Sequence, residues 1–282
     1  MSVTIGAVLA GTCPLSGFCA GAAHAAGAIH AAGRFVEVNH HQIYYEIHGT
    51  GMPLVLLHGG GDSFEYSFGK VLPALSAHHQ VIAIEQTGHG HSPDAPGKLS
   101  YAGMTEDTSE LLRILDRGPT DVVGWSDGGV IALMLAARHA AQVRRVVASG
   151  ANFSPDGMVP AALAELKQSS AADVYNAAER AEALRLNPGG EAQMLSVGAK
   201  LKQLWLSSPT PVELSPAILS AIAQPVMIMA GDRDEIRIEH TLVIFHALPK
   251  ASLWIVPDCG HNVFNERPQL AQRVVLEFLE KP

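Results

Sequence analysis

A chain of 282 residues with 48% hydrophobic and 16% charged residues can bury a large core, which excludes a disordered protein and suits one α/β domain with an insertion, or at most two small domains. Nineteen basic against 27 acidic residues leave a net charge of −8 without a basic cluster, which argues against nucleic acid or an anionic membrane surface as a partner. The 14 histidines are scattered, a pattern that does not imply a metal site.

Residues 1–33 contain no Lys, Arg, Asp or Glu. Apolar stretches at 5–10 and 15–20 precede Ala23-His24-Ala25, a small-x-small cleavage pattern, so this leader resembles a secretory signal peptide. Its n-region departs from that pattern by carrying only the α-amino charge; a misplaced start codon and a flexible tail are the other readings. A cleaved leader places the mature chain in the periplasm or outside the cell, and an uncleaved one leaves it cytoplasmic. Gly11 and Pro14 interrupt the apolar stretch, and no transmembrane segment is expected in the mature chain. Cys13 and Cys19 lie in the leader, so its removal leaves Cys259 as the only thiol.

The domain proper is expected from residue 34. Residues 35–38 and 42–48 alternate like strands, with Asn39-His40-His41 as a tight turn between them. The apolar run 53–57 suits a strand buried on both faces and opens into His58-Gly59-Gly60-Gly61. A helix over 64–78 should be kinked or shortened at Pro73. The buried strand 81–85 leads into the turn 86–92, where His89-x-His91 has chelate spacing but no third ligand is indicated, so a polar turn is expected. Leu111, Leu112 and Leu115 form the apolar stripe of a helix over 105–116. A β-branched strand over 120–124 and an Ala- and Leu-rich helix over 128–139 flank Gly124-Trp125-Ser126-Asp127-Gly128-Gly129. After a strand at 143–148, residues 154–223 show helical periodicity broken at Pro160, Pro188-Gly189-Gly190 and Pro209/Pro211, without a strand candidate. Strand runs resume at 225–230 and 252–256, and 269–280 closes the chain as a helix. The expected organisation is a core over 34–153 and 224–282, with 154–223 as a small helical cap. Alternating strands and helices imply a mostly parallel, doubly wound α/β sheet with its site at the strands' carboxyl ends.

Ser126 stands where a strand turns sharply into a helix. Gly124 and Gly128 supply room there that a Cβ would fill, and the helix N-terminus favours negative charge beside the serine. A serine needs a base, and the base needs an orienting group. Asp232 and Asp234 follow the strand 225–230, and His261 follows the strand 252–256, in the order serine, acid, histidine.

These features together resemble the α/β-hydrolase superfamily over nearly all of 34–282. The matching motifs are His58-Gly59-Gly60-Gly61, Gly88-x-Gly90-x-Ser92, the elbow, Gly231-x-x-Asp234 and Gly260-His261. The resemblance implies Ser126 as nucleophile, His261 as general base and acid, and Asp234 as the orienting carboxylate, with Asp232 as a loop hydrogen-bonder and the alternative acid. It implies an oxyanion hole from the backbone N–H groups of Asp127 and Gly60, with Gly61 the fallback, and no cofactor. His58 is expected to be structural, and Glu85 stands where the family usually has Asp.

The elbow resembles that of the valacyclovir-hydrolase type, in which the acid after the serine holds the α-amino group of amino-acid esters. Asp127 is therefore a candidate substrate contact, as are Trp125 and Gly61. The blander readings are that Asp127 pairs with an Arg or caps the helix in solvent, and that Trp125 packs under the elbow. Cap residues Met158, Met194, Leu201, Leu204, Trp205 and Leu206 could line an apolar cleft or dock the cap. The leading reading is a serine hydrolase that cleaves small-molecule carboxylic esters through an acyl-enzyme intermediate. Lactonase, amidase and C–C bond hydrolase chemistry, and a non-catalytic small-molecule-binding protein, are the alternatives.

Overall fold

A computed structural model describes residues 33–210 and 213–281. The leader, with its cleavage pattern and two cysteines, lies outside the described residues. The chain runs β1 (Arg34–Val38), β2 (His41–His48), β3 (Met52–Leu57), α1 (Phe64–Phe68), α2 (Leu72–Ser76) and β4 (His79–Glu85). Then come α3 (Tyr101–Ile114), β5 (Thr120–Trp125), α4 (Asp127–Arg138) and β6 (Val143–Ser149). Four helices follow: α5 (Pro160–Gln168), α6 (Ala177–Leu186), α7 (Gly190–Ser207) and α8 (Pro216–Leu219). The chain closes with β7 (Val226–Gly231), α9 (Ile238–Ala247), β8 (Ala251–Val256), α10 (Val263–Glu266) and α11 (Pro268–Leu279).

The strands form one sheet in the order β1-β2-β4-β3-β5-β6-β7-β8. The β1–β2 and β2–β4 pairs are antiparallel, and every later pair is parallel. Asn39 and His40, at φ 47° and 69°, form the two-residue turn between β1 and β2. Left-handed backbone at both positions matches the twist of a hairpin, which is why His41 joins β2 rather than the turn. Pro73 does not kink one helix but sits in the first turn of α2, where its missing N–H would have had no partner. Helix α3 starts four residues before its expected start at residue 105 because the Ser100 hydroxyl accepts from the Gly103 N–H at 3.0 Å and caps it. The short α10 and the ten-residue α9 carry no strong periodic signal and are additions to the predicted elements.

The continuous apolar strands have partners on both sides. Successive side chains of β3 point to opposite faces. Val55 and Leu57 join the layer of Leu111, Leu112 and Val130, while Leu54 and Leu56 join Phe68, Phe264 and Val275. The two layers clamp the sheet, and β3 and β5 lie at its centre with their carboxyl ends adjacent. Among the described residues no helix is long and apolar enough to cross a membrane.

The centre of the sheet is intolerant of added volume. A Cβ on Gly128 would lie 1.9 Å from the Leu57 carbonyl oxygen, whereas one on Gly118 would meet nothing within 4 Å. Gly128→Ala is expected to cost about 3 kcal/mol of unfolding free energy in urea melts, with Gly118→Ala within about 0.5 kcal/mol of wild type.

Candidate active site

Strand β5 ends at Trp125 and α4 begins at Asp127, so Ser126 alone turns strand into helix. Its backbone lies at φ 54°, ψ −121°, a conformation that costs an L-residue about 1–3 kcal/mol and persists only when its surroundings enforce it. They do so here. The Ser126 N–H donates to the Ser149 carbonyl at 2.8 Å, and its own carbonyl accepts from Gly129 at 2.8 Å and Val130 at 3.1 Å. A Cβ on Gly124 would lie 2.1 Å from the Gly128 oxygen, so the helix can start this close to the strand only with glycine at that position.

Two loops at the same edge of the sheet bring the other predicted residues to the serine. His261, after β8, sets Nε2 2.9 Å from Ser126 Oγ and Nδ1 2.7 Å from Asp234 Oδ1. Asp234, after β7, is 9% exposed, and the same Oδ1 accepts from the Ile236 N–H at 2.9 Å. Asp232 instead accepts from the Cys259 N–H at 3.2 Å, a loop hydrogen bond. Trp125 packs in the layer of Leu54 and Phe68 and also lines the cleft beside Ser126, and its Nε1 donates to the His261 carbonyl at 2.9 Å, tying the histidine loop to β5. Gly150, at φ 61° past β6, lies against the imidazole, where a Cβ would be 2.7 Å from Cε1.

Asp127 is neither paired with an arginine nor solvated. It is 6% exposed, and Oδ1 accepts from the Tyr101 hydroxyl at 2.7 Å and from Trp205 Nε1 at 3.0 Å. Oδ2 lies at the same 3.0 Å from Trp205 Nε1. Burial pushes this carboxyl above the usual carboxylate range, although both donors oppose the shift. A Cβ on Gly60 would be 2.3 Å from Asp127 Oδ2, so the Gly60 backbone runs alongside that carboxylate. Gly61, at φ 87°, is directed at Tyr175 and Leu201 of the helical segment.

The histidines of the neighbouring loops have other employment. His58 Nε2 accepts from the Gln86 N–H at 2.9 Å, which leaves Nδ1–H to donate to the Gly59 carbonyl at 2.7 Å. Burial, aided by His89, holds its pKa down at about 3, so it stays a neutral strap between the loops after β3 and β4. His89 Nδ1 is 3.0 Å from the Thr87 carbonyl, whereas His91 Nδ1 is 2.9 Å from Glu85 Oε2. The same Glu85 Oε2 also accepts from the His91 N–H at 2.6 Å.

These elements enclose a cleft of about 530 Å³. Its described lining includes the carboxylates of Asp62, Asp127, Glu165, Asp173, Glu179 and Glu235, and no Lys or Arg. Glu235 Oε1 lies 3.5 Å from His261 Nε2. Burial acts to lower the His261 pKa, but Asp234, Glu235 and Asp127 outweigh it and raise the value to about 9. Sequence reasoning passed over Tyr101, Gly150 and Glu235. Glu235 had a signal, because the loop that delivers Asp234 delivers the next residue too; nothing local marks Tyr101.

The family model described as "Alpha/beta hydrolase family" matches residues 54–272, and the chain belongs to that family. It is 27% identical over 262 residues to a pimeloyl-[acyl-carrier protein] methyl ester esterase of Nitrosospira multiformis, covering 80% of this chain and 94% of the relative. It is 31% identical over 252 residues to a magnesium-chelatase 30 kDa subunit of Rhodobacter capsulatus, covering 82% and 87%. Among solved structures, a meta-cleavage product hydrolase from Pseudomonas fluorescens IP01 superposes with a TM-score of 0.75 at 20% identity, covering 88% of this chain and 97% of the other.

The charge around His261 is directly measurable. Imidazole NMR is expected to titrate it near pH 9, and Glu235→Gln should lower that value. A pKa raised above the unfolded value of about 6.5 adds stability that is complete below that pH and is lost as pH rises through about 9. The melting temperature of wild type relative to His261→Gln should therefore fall across that window.

Proposed function

We propose that this chain is a serine hydrolase of small-molecule carboxylic esters, working through Ser126, His261 and Asp234 without a cofactor. The observation that carries the reading is the 2.9 Å contact between His261 Nε2 and a serine held in an enforced positive-φ turn. As Ser126 Oγ bonds to the ester carbonyl carbon, its proton passes to Nε2, and the Asp234 carboxylate steadies the imidazolium. The carbonyl oxygen becomes an oxyanion facing the N–H groups of Asp127 and Gly60. Collapse breaks the C–O bond, and the Nε2 proton leaves with the alcohol. Water then attacks the acyl-enzyme, gives a proton to Nε2, and the acid departs as Ser126 recovers its own. Residues 154–223 act as a lid that supplies Trp205 and the wall of the cleft.

The acyl group we assign is cationic, with Asp127 as its counter-ion. A buried carboxylate beside the oxyanion hole, even one that accepts from Tyr101 and Trp205, opposes the negative charge that develops there unless the substrate carries a compensating ammonium, which also favours the ionised form that burial penalises. The six lining carboxylates, with no Lys or Arg among them, disfavour anionic substrates for the same reason. The ammonium also offsets the field that keeps His261 protonated, so binding of the right substrate releases the base. A non-catalytic binding protein has no use for the serine–histidine contact, and its absence of turnover would be the evidence for it. The composition of the leader supports an exported enzyme; mass spectrometry of the mature N-terminus tests this, with Ala26 as the expected first residue.

Stopped-flow hydrolysis of p-nitrophenyl esters should show a burst in wild type, and Ser126→Ala should abolish the burst and lower kcat by about 10⁵–10⁶-fold. Asp127→Asn retains the backbone N–H; it should lower kcat/KM for α-amino acyl esters by about 10–100-fold while changing neutral acyl esters by about threefold or less. Equal losses on both substrates would remove the amino-group assignment. For an α-amino ester, the rise of kcat with pH should lie below the rise of kcat/KM, since the first reports the complex and the second the free enzyme. A neutral ester should not separate the two.

A further inference from the structure

Asp62 follows the glycines 59–61 and lines the same cleft as Ser126, yet it is only 2% exposed. Its carboxyl accepts from Ser67, while Oδ1 has no hydrogen-bond partner among the described residues. A buried acceptor without a donor is costly, and a buried carboxylate without a cation more so. Burial first, and then the like charges of Glu179, Glu182 and Asp127, push its carboxyl well above the usual carboxylate range, so its ionised form needs a cation beside it. Glu182 is shared with Arg185, which lies 3.4 Å from it and 3.3 Å from Glu65. Glu179 is held by neutral donors: its Oε2 accepts from the Asn176 N–H at 2.7 Å and its Oε1 from the Asn176 side chain at 2.5 Å. The cleft thus contains a fixed, under-bonded acid at depth, with a second acid on the lid side and no basic residue between them in the described lining.

We propose that Asp62, with Glu179 in the same cleft wall, forms a second cation subsite, separate from Asp127, that takes an alkylammonium at the distal end of a substrate. Calling the bound molecule a substrate rests on the hydrolase reading; the cation subsite does not. The two sites differ in what they touch. Asp127 abuts Gly60, whereas Asp62 and the Trp125 ring abut Gly59: a Cβ on Gly60 would be 2.3 Å from Asp127 Oδ2, and one on Gly59 would meet the Trp125 ring at 2.6 Å and Asp62 Oδ2 at 3.1 Å. An ammonium at the scissile end and another along the chain would each find a carboxylate, so dibasic acyl groups fit the cleft better than monobasic ones of equal length.

The test compares a diamine with a monoamine. By isothermal titration calorimetry, wild type should bind 1,5-diaminopentane at least tenfold more tightly than pentylamine at pH 7. Asp62→Asn should reduce that ratio to about twofold, and Glu179→Gln, which retains the helix cap, should reduce it partly, by about threefold. Equal binding of the two amines by wild type, or an unchanged ratio in the variants, overturns the subsite. If Asp62→Asn fails to fold in a thermal melt, the Glu179→Gln ratio decides alone. Kinetics then separate the two readings. With the α-amino group blocked, Nα-acetyl-lysine methyl ester should exceed Nα-acetyl-norleucine methyl ester at least tenfold in kcat/KM, and Asp62→Asn should erase the advantage. Turnover of neither ester, together with no p-nitrophenyl burst, would sink the hydrolase reading while the diamine titration still judged the subsite.

Discussion

The architecture of this protein turns on a steric closeness that only hydrogen allows. At the carboxyl edge of the sheet, the end of β3, the end of β5 and the first turn of α4 approach until any Cβ on Gly124 or Gly128 would strike backbone oxygen. That approach forces Ser126 to positive φ, and the hydrogen bonds to Ser149, Gly129 and Val130 hold it there. It also brings the Gly59–Gly61 run after β3 alongside the start of α4. Gly60 comes to lie against the Asp127 carboxylate for this reason. The packing of alternate β3 residues into layers on both faces of the sheet stabilises a turn that is locally unfavourable.

Electrostatics is the second organising constraint. One imidazole stands among carboxylates drawn from separate elements: Asp234 and Glu235 after β7, Asp127 at the head of α4, and Glu179 on α6. Burial strengthens each interaction and penalises each unpaired charge, so the negative field at this imidazole is little screened. The raised pKa of His261 comes from the surrounding carboxylates against the effect of burial, whereas the upward push on Asp127 comes first from burial, with Glu235 adding to it. A cation in the cleft relieves both at once.

Much of the fold was legible because its signals are local. Two-face burial writes continuous apolar runs at β3, β4 and β5, and the alternation at β1 and β2 marks the edge hairpin. The elbow glycines and the order of Ser126, Asp234 and His261 could likewise be read, since each follows a strand whose carboxyl end is fixed by the parallel sheet. Less was readable where short elements lack a period. Helix α10 spans four residues, and the break between α1 and α2 falls at Gly69–Val71, ahead of Pro73 rather than at it.

By itself the amino-acid sequence determined the sheet, the sharp turn at Ser126 and which side chains lie at its open edge, because steric demand and hydrophobic period act over a few residues. Only the tertiary structure decided what those side chains touch. Asp127 receives Tyr101 from 26 positions away and Trp205 from 78, and Asp62 is buried with one oxygen unmatched while lining the same cleft as Glu179 of α6. Such contacts depend on how distant helices pack over the sheet, and an unmatched carboxylate oxygen is defined by what fails to reach it. Neither property belongs to any short stretch of chain.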